Sequence, residues 1–196
     1  MSVSTANPLA RIGAVTAMVG AVLLFLFTLL HPMDSDPNNL DAAFAEYAAD
    51  PIWVWSHLGQ FVGVAMLGMA LVALGATLDH GRAAAWGRIG QAGAVAIIAI
   101  AAALQAVDGV ALKVMVDRWA AATGDAREIA FEAAFAVRQI EIGLASLLSL
   151  LSGFTLIVFG ISMGYSTWYP RWLGGIGLLG GVGLMATGVV QASTGF

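Results

Sequence analysis

Residues 142–163 read IGLASLLSLLSGFTLIVFGISM, and this uncharged stretch decides the fold class. An α-helix needs about 20 predominantly apolar residues to cross the hydrocarbon core of a bilayer. Four more uncharged stretches are long enough, at 12–30, 51–78, 89–107 and 172–196. The sequence therefore predicts an all-α integral membrane bundle of five transmembrane helices. We expect one membrane domain over residues 1–196, with spans at about 12–30, 53–78, 89–108, 142–163 and 172–192.

The composition agrees with that class and excludes several functions. Hydrophobic residues make up 60% of the chain and charged residues 10%, whereas soluble domains carry about 25% charged residues. The chain has no cysteine, which excludes disulfides, iron–sulfur clusters, thiolate metal sites and cysteine nucleophiles. Lys and Arg together number only eight, so we expect no nucleic-acid partner.

Acidic residues are concentrated on one side of the predicted membrane. The opposite side holds one carboxylate, Asp79, together with Arg11, Arg82, Arg88 and Arg171. Basic residues in short connections favour the cytoplasmic side. We therefore expect a protein of the bacterial cytoplasmic membrane, with its N-terminus inside and its C-terminus outside. The remaining carboxylates are Asp34, Asp36, Asp41, Glu46, Asp50, Asp108, Asp117, Asp125, Glu128, Glu132 and Glu141.

The positions of the tryptophans agree with the same five-span topology. All six are predicted at span ends, where an indole ring favours the membrane interface. Those on the acidic side are Trp53, Trp55 and Trp119, and those on the basic side are Trp86, Trp168 and Trp172.

Two connections on the acidic side predict a small extracytoplasmic cap. The connection 31–52 is rich in turn residues and contains one helical stretch, Leu40 to Ala49, for which Asn39 is a suitable N-cap. Within 108–141 no strong helix breaker occurs before Gly124 except Gly109. The third and fourth spans should therefore continue past the bilayer as a helical hairpin.

Polar residues of four spans are predicted at one depth, next to the acidic side. If these faces point inward, they form a ligand-binding pocket that opens to the extracytoplasmic side, with 31–52 as a lid. An Asp108–Arg138 or a Glu141–Lys113 contact is one expectation, and solvation of these groups among lipid headgroups is the alternative. Lys113 and Asp117 are spaced i, i+4 and predict an ion pair. The proposed ligand-binding residues are His31, His57, Gln60, Asp108, Arg138 and Glu141.

The histidines leave a cofactor question open. No cofactor or metal is the main expectation, because His31 and His57 are typical of hydrogen-bonded anchors of a lid. The alternative is haem b or a divalent metal bound by His31 and His57, to which Asp108 or Glu141 adds a ligand. Motifs for phosphate-binding loops, nucleophile elbows and dinucleotide binding are absent from the sequence, so we expect no catalytic residue.

Glycine and alanine recur at i, i+4 in the spans and predict close helix packing. The span 172–192 is the richest in glycine. Packing within the bundle is the simpler interpretation, and a contact with a second copy or with a partner membrane protein is the other. Membrane lipids are expected around the bundle.

Three short motifs resemble a family of small bacterial multi-pass membrane proteins of uncharacterised activity. They are His31-Pro32 at the end of the first span, WVWSHLGQ at 53–60, and YPRWLG at 169–174. The resemblance implies a membrane context and no catalytic residue.

These observations predict a non-enzymatic binding or accessory protein with an extracytoplasmic polar pocket. The pocket would take a small ligand, a lipid headgroup or a partner protein. A membrane redox protein with haem or metal is the alternative. A small-solute transporter is weaker, because no span is visibly broken near the midplane.

Overall fold

The computed structural model describes residues 7–78 and 80–195, and within them it contains seven α-helices and no β-strand. Asp79 lies outside the described residues. A π-helical segment, Ala106–Leu112, joins α4 to α5 without a break in the helical path. The helices are α1 (Pro8–Leu29), α2 (Leu40–Ala49), α3 (Trp53–Thr77), α4 (Gly81–Gln105), α5 (Lys113–Ala121), α6 (Asp125–Tyr165) and α7 (Arg171–Thr194).

Five helical stretches are long and apolar enough to cross a membrane, which confirms the predicted class. The third stretch begins at Gly81, eight residues before the sequence predicted, because the alanine-rich turn after Gly81 is itself helical. Ala83 in that turn is buried beside Phe159. The fourth stretch, α6, contains 41 residues. At 1.5 Å per residue it is about 60 Å long, so it extends well beyond a bilayer.

The spans pack in the order α1, α3, α4, α6, α7. Small residues permit the close approaches, because a Cβ at Gly20 of α1 would lie 2.8 Å from the Gly63 carbonyl oxygen of α3. Along α7, Gly174, Gly181 and Gly188 are buried against α6. These glycines therefore serve packing within the chain, and a contact with a second copy through 172–192 stays a prediction.

A cap forms at the end of the bundle that carries most carboxylates. Its core joins α2, α5 and the first turns of α6, and it includes Phe44, Trp53, Val116, Trp119 and Ala134. Trp53 is 1% exposed and Trp119 is 4% exposed. The expectation that both lie in an interfacial belt is therefore wrong, because the cap buries their rings instead.

The connection between α1 and α2 is tied to α2 by one carboxylate. Glu46 accepts hydrogen bonds from the backbone N–H groups of Asp34 and Ser35, at 2.9 and 2.8 Å. Burial acts to raise the pKa of Glu46, but these hydrogen bonds outweigh it and lower that pKa below its ordinary value of 4.5. As predicted, Asn39 caps α2, accepting from the Ala42 N–H. We call residues 31–52 the lid.

Candidate functional site

A cavity of about 400 Å³ lies beneath the lid, between the start of α3, the end of α4 and the middle of α6. Five of the six residues predicted to bind ligand line it, and the sixth, His57, lies behind the wall beside His31 and Asp108. The lining includes His31, Pro32, Met33, Ser35, Pro37, Tyr47, Gln60, Leu104, Gln105, Asp108, Arg138, Glu141 and Ala145. The structure therefore brings residues of four spans together at one depth.

His57 is held rigidly in the first turns of α3. Its ring is 1% exposed, and its Nδ1 lies 2.7 Å from the carbonyl oxygen of Trp53. Since a carbonyl oxygen only accepts, Nδ1 carries the proton and donates. Nε2 faces Asp108, at 3.1 Å from Oδ2. The ring thus presents Nε2 to the carboxylate and to the cavity side.

His31 follows the end of α1 and is fixed in the same way. Its Nδ1 lies 2.8 Å from the carbonyl oxygen of Pro32, so Nδ1–H donates and Nε2 is left available. The His31 and His57 rings are in contact, with centroids 4.9 Å apart. Burial lowers the pKa of His31, and the adjacent His57 lowers it further. Both effects favour the neutral form of the His31 ring.

The π-helical segment positions Asp108. A π turn leaves backbone carbonyls displaced from the regular ladder, and here the Trp53 indole N–H donates to the Asp108 carbonyl oxygen at 3.1 Å. A Cβ at Gly109 would lie 2.5 Å from the His57 Cβ, so only glycine permits this approach of the two helices. Trp53 and Gly109 therefore fix the backbone that carries Asp108 against His57.

Arg138 and Glu141 form a buried ion pair in α6. The Arg138 Nη1 lies 2.5 Å from Glu141 Oε2, and the two residues are 4% and 2% exposed. The guanidinium also lies over the Tyr47 ring, 5.7 Å from its centroid. Both residues are inside the protein, and the headgroup alternative for this pair is wrong because the lid and α2 cover them.

Two of the three side-chain pairs differ from those the sequence suggested. Glu141 pairs with Arg138, Asp108 with His57, and Lys113 with Asp117. The Lys113 Nζ lies 2.7 Å from Asp117 Oδ1, which agrees with the i, i+4 prediction. Lys113 turns away from Glu141 because it also donates to the carbonyl oxygens of Tyr47 and Ala48, at 3.1 and 2.8 Å.

The cavity wall contains two buried acceptor atoms without a donor in the described part of the chain. Gln105 donates to Gln60 Oε1 at 3.3 Å. Asp108 Oδ1 and Gln105 Oε1 are buried, and no hydrogen-bond donor for them occurs among residues 7–78 and 80–195. A buried acceptor without a donor costs about 1–3 kcal/mol. Both atoms are therefore suited to a ligand that supplies protons or positive charge.

Sequence reasoning missed Tyr47 and the structural role of Trp53. The apolar spacing of Ala43, Phe44 and Tyr47 indicates one buried face of α2, and that face covers the cavity. Burial raises the pKa of Tyr47, so its hydroxyl stays protonated. No comparable pattern identifies Trp53, since it resembles an ordinary interfacial tryptophan.

No protein-family model matches this chain, and comparisons with curated proteins and with solved structures found no match. The resemblance to small bacterial multi-pass proteins therefore stays a prediction.

Proposed function

We propose that this protein is a membrane-embedded binding protein whose cavity takes a small ligand that carries positive charge or donates hydrogen bonds. One observation carries the proposal. Asp108 Oδ1 and Gln105 Oε1 are buried acceptors in the cavity wall without a donor in the described part of the chain. A ligand that donates to both atoms recovers the free energy lost when they were buried.

The charges of the cavity support a cationic ligand. Glu141 is paired with Arg138, so the carboxylate of Asp108, which faces Nε2 of His57, is the charge that a cationic ligand would meet. The interaction of this charge with a ligand is stronger here than in water, because the effective dielectric constant of a protein interior is about 20 or lower. An anionic ligand would be repelled by the Asp108 carboxylate and is disfavoured.

The proposal places the cavity on the extracytoplasmic face of the bacterial cytoplasmic membrane. Its support is the charge distribution, because Arg82, Arg88 and Arg171 lie at the end of the bundle opposite the cap. The lid then separates the cavity from the outer aqueous phase, and Glu46 holds its backbone in place.

Thiol modification tests the cavity directly, because the chain has no native cysteine. Ala145 is buried and lines the cavity. The Ala145→Cys variant should react faster with a cationic methanethiosulfonate reagent than with an anionic one of similar size, by tenfold or more at low ionic strength. The Ser166→Cys variant, at the opposite end, is the reference for the intrinsic ratio of the two reagents. Equal ratios, or no reaction at Ala145→Cys, would overturn the proposed function.

A matched pair of cysteine variants tests the orientation of the protein in the membrane. Ser35 lies in the lid and Ser166 lies between α6 and α7, so Ser→Cys changes at both positions are chemically identical. In intact spheroplasts an impermeant reagent should label Ser35→Cys and leave Ser166→Cys unlabelled until the membrane is permeabilised. The reverse pattern would place the cap in the cytoplasm.

A further inference from the structure

The two histidines and Asp108 converge on one point beside the cavity. The available atoms of His31, His57 and Asp108 lie within 4.8 Å of one another. We propose that they bind a divalent first-row transition-metal ion through His31 Nε2, His57 Nε2 and a carboxylate oxygen of Asp108. The inference rests on the proposed function, because it names the chemical class of the cationic ligand.

The first support is the orientation of the imidazole rings. In both histidines a backbone carbonyl oxygen takes the Nδ1 proton, at 2.8 Å from Pro32 and 2.7 Å from Trp53. A neutral ring so fixed keeps the lone pair of Nε2 available for a metal ion. Histidine ligands of metals are oriented by such a hydrogen bond from the second ring nitrogen. In both rings Nδ1 is already protonated and hydrogen-bonded, as it is in a histidine that binds a metal through Nε2.

The second support is the spacing of the ligand atoms. A metal ion with bonds of about 2.0–2.2 Å to nitrogen and oxygen holds adjacent ligand atoms about 3.0–3.4 Å apart. The 3.1 Å between His57 Nε2 and Asp108 Oδ2 falls in that range. The separations within the whole group reach up to 4.8 Å, so His31 must approach the other two residues to complete the set. Its hydrogen bond runs to the adjacent Pro32, so the ring can shift together with the backbone that follows α1 without losing that bond.

The third support is the unsatisfied chemistry of the cluster. Nε2 of His57 and Oδ2 of Asp108 face each other at 3.1 Å, so a cation beside them would contact both atoms. Asp108 Oδ1 keeps a lone pair that no donor within 7–78 and 80–195 occupies. It offers the metal a second oxygen.

The donor set selects the class of metal. Two imidazoles and one carboxylate suit Fe²⁺, Co²⁺, Ni²⁺ and Zn²⁺, whereas Mg²⁺ and Ca²⁺ prefer oxygen ligands alone. Three protein ligands leave coordination positions open toward the cavity. The contact between the His31 and His57 rings disfavours haem, because a haem iron bound by both would place the porphyrin between them.

Cobalt and zinc binding to the purified full-length protein tests the site. After treatment with a chelator, the protein should bind one Co²⁺ per chain with visible d–d absorption, and Zn²⁺ should displace it. His31→Gln, His57→Gln and Asp108→Asn should each weaken Co²⁺ binding at least tenfold. The matched controls are His80→Gln, whose histidine lies at the other end of the bundle, and Asp117→Asn, a carboxylate on an exposed face of α5. The controls should bind Co²⁺ as the wild type does.

The other possible results either overturn the metal site or separate it from the proposed cavity function. Absence of Co²⁺ and Zn²⁺ binding at 1:1 stoichiometry, or equal affinity in His31→Gln and the wild type, overturns the metal site. A Soret band in the purified protein would also overturn the metal site, because it would show that the protein binds haem. If His57→Gln fails to fold, His31→Gln decides, since His31 is the less buried ring. Fast cationic modification of Ala145→Cys without metal binding would leave the proposed cavity function standing and remove the metal alone.

Discussion

His57 Nε2 lies 3.1 Å from Asp108 Oδ2, and this contact joins α3 to the π-helical segment across 51 residues of sequence. It is the point at which the first, second and third spans meet, because the His31 ring also packs against His57. Small changes in the approach of α3 and the π-helical segment therefore act on the whole site.

Gly109→Ala should disturb the site through the backbone. The added Cβ would lie 2.5 Å from the His57 Cβ, so either helix must move. We expect a loss of about 1–3 kcal/mol in the free energy of unfolding, as for other overpacked cores. Gly143→Ala in α6 is the control, because a Cβ there meets no atom within 4 Å. Thermal unfolding in one detergent should separate the two, and equal midpoints would contradict the close approach.

Arg138→Gln should be strongly destabilising. It leaves the Glu141 carboxylate buried without its cation, and loss of one partner of a buried pair costs about 3–5 kcal/mol. The double variant Arg138→Met with Glu141→Leu should recover most of that loss. Arg118→Gln, on an exposed position of α5, should change stability by less than 1 kcal/mol. Equal unfolding free energies for Arg138→Gln and Arg118→Gln would show that the pair is not buried.

Lys113→Met should loosen the lid more than Asp117→Asn does. Lys113 donates to the last carbonyl groups of α2 as well as to Asp117, and Asp117 is half exposed. Loss of the exposed ion pair alone costs less than about 1 kcal/mol. Amide hydrogen exchange across residues 40–49 should therefore accelerate in Lys113→Met and stay near the wild-type rate in Asp117→Asn. Identical exchange in both would assign the effect to the ion pair.

Lid protection should fall in acid as Glu46 is protonated. The pKa of Glu46 is lower in the folded protein than its ordinary value of 4.5, so its stabilising contribution is complete above that pH and disappears as pH falls through the folded pKa. Amide exchange at Asp34 and Ser35 should be slower in the wild type than in Glu46→Gln near pH 6, and equal in both at the lowest pH. Glu132→Gln should match the wild type throughout. A constant ratio across this range would exclude Glu46 as the titrating group.

The spans and the cap were predictable because their signals are local. Asn39, Leu40 and Ala49 mark the bounds of α2 through capping and breaker chemistry that acts over one turn. Uncharged length alone predicts five spans. The location of Arg138 and Glu141 on one helix face follows from their i, i+3 spacing.

The sequence could not predict which charged groups of the site pair with each other, and the reason is physical. Which carboxylate faces which cation depends on how each helix is rotated about its axis. The π-helical segment adds an extra rotation, and no residue type between Ala106 and Leu112 indicates it. The same rotation aims Asp108 at His57. Lys113 takes its direction from carbonyl groups at the end of α2, which are a property of the folded backbone and not of residue type.

The length of α6 bears on the electrical environment of the cavity. Arg138 and Glu141 lie about 20 Å from its N-terminal end at 1.5 Å per residue. In the proposed orientation that end projects from the outer leaflet, and the cavity would then lie near the level of the lipid phosphates. An anionic leaflet carries a surface potential of about −30 mV, which concentrates divalent ions about tenfold near that plane. An affinity for Co²⁺ measured in neutral detergent should therefore understate the affinity in vesicles that contain phosphatidylglycerol, and the difference should shrink as salt is added.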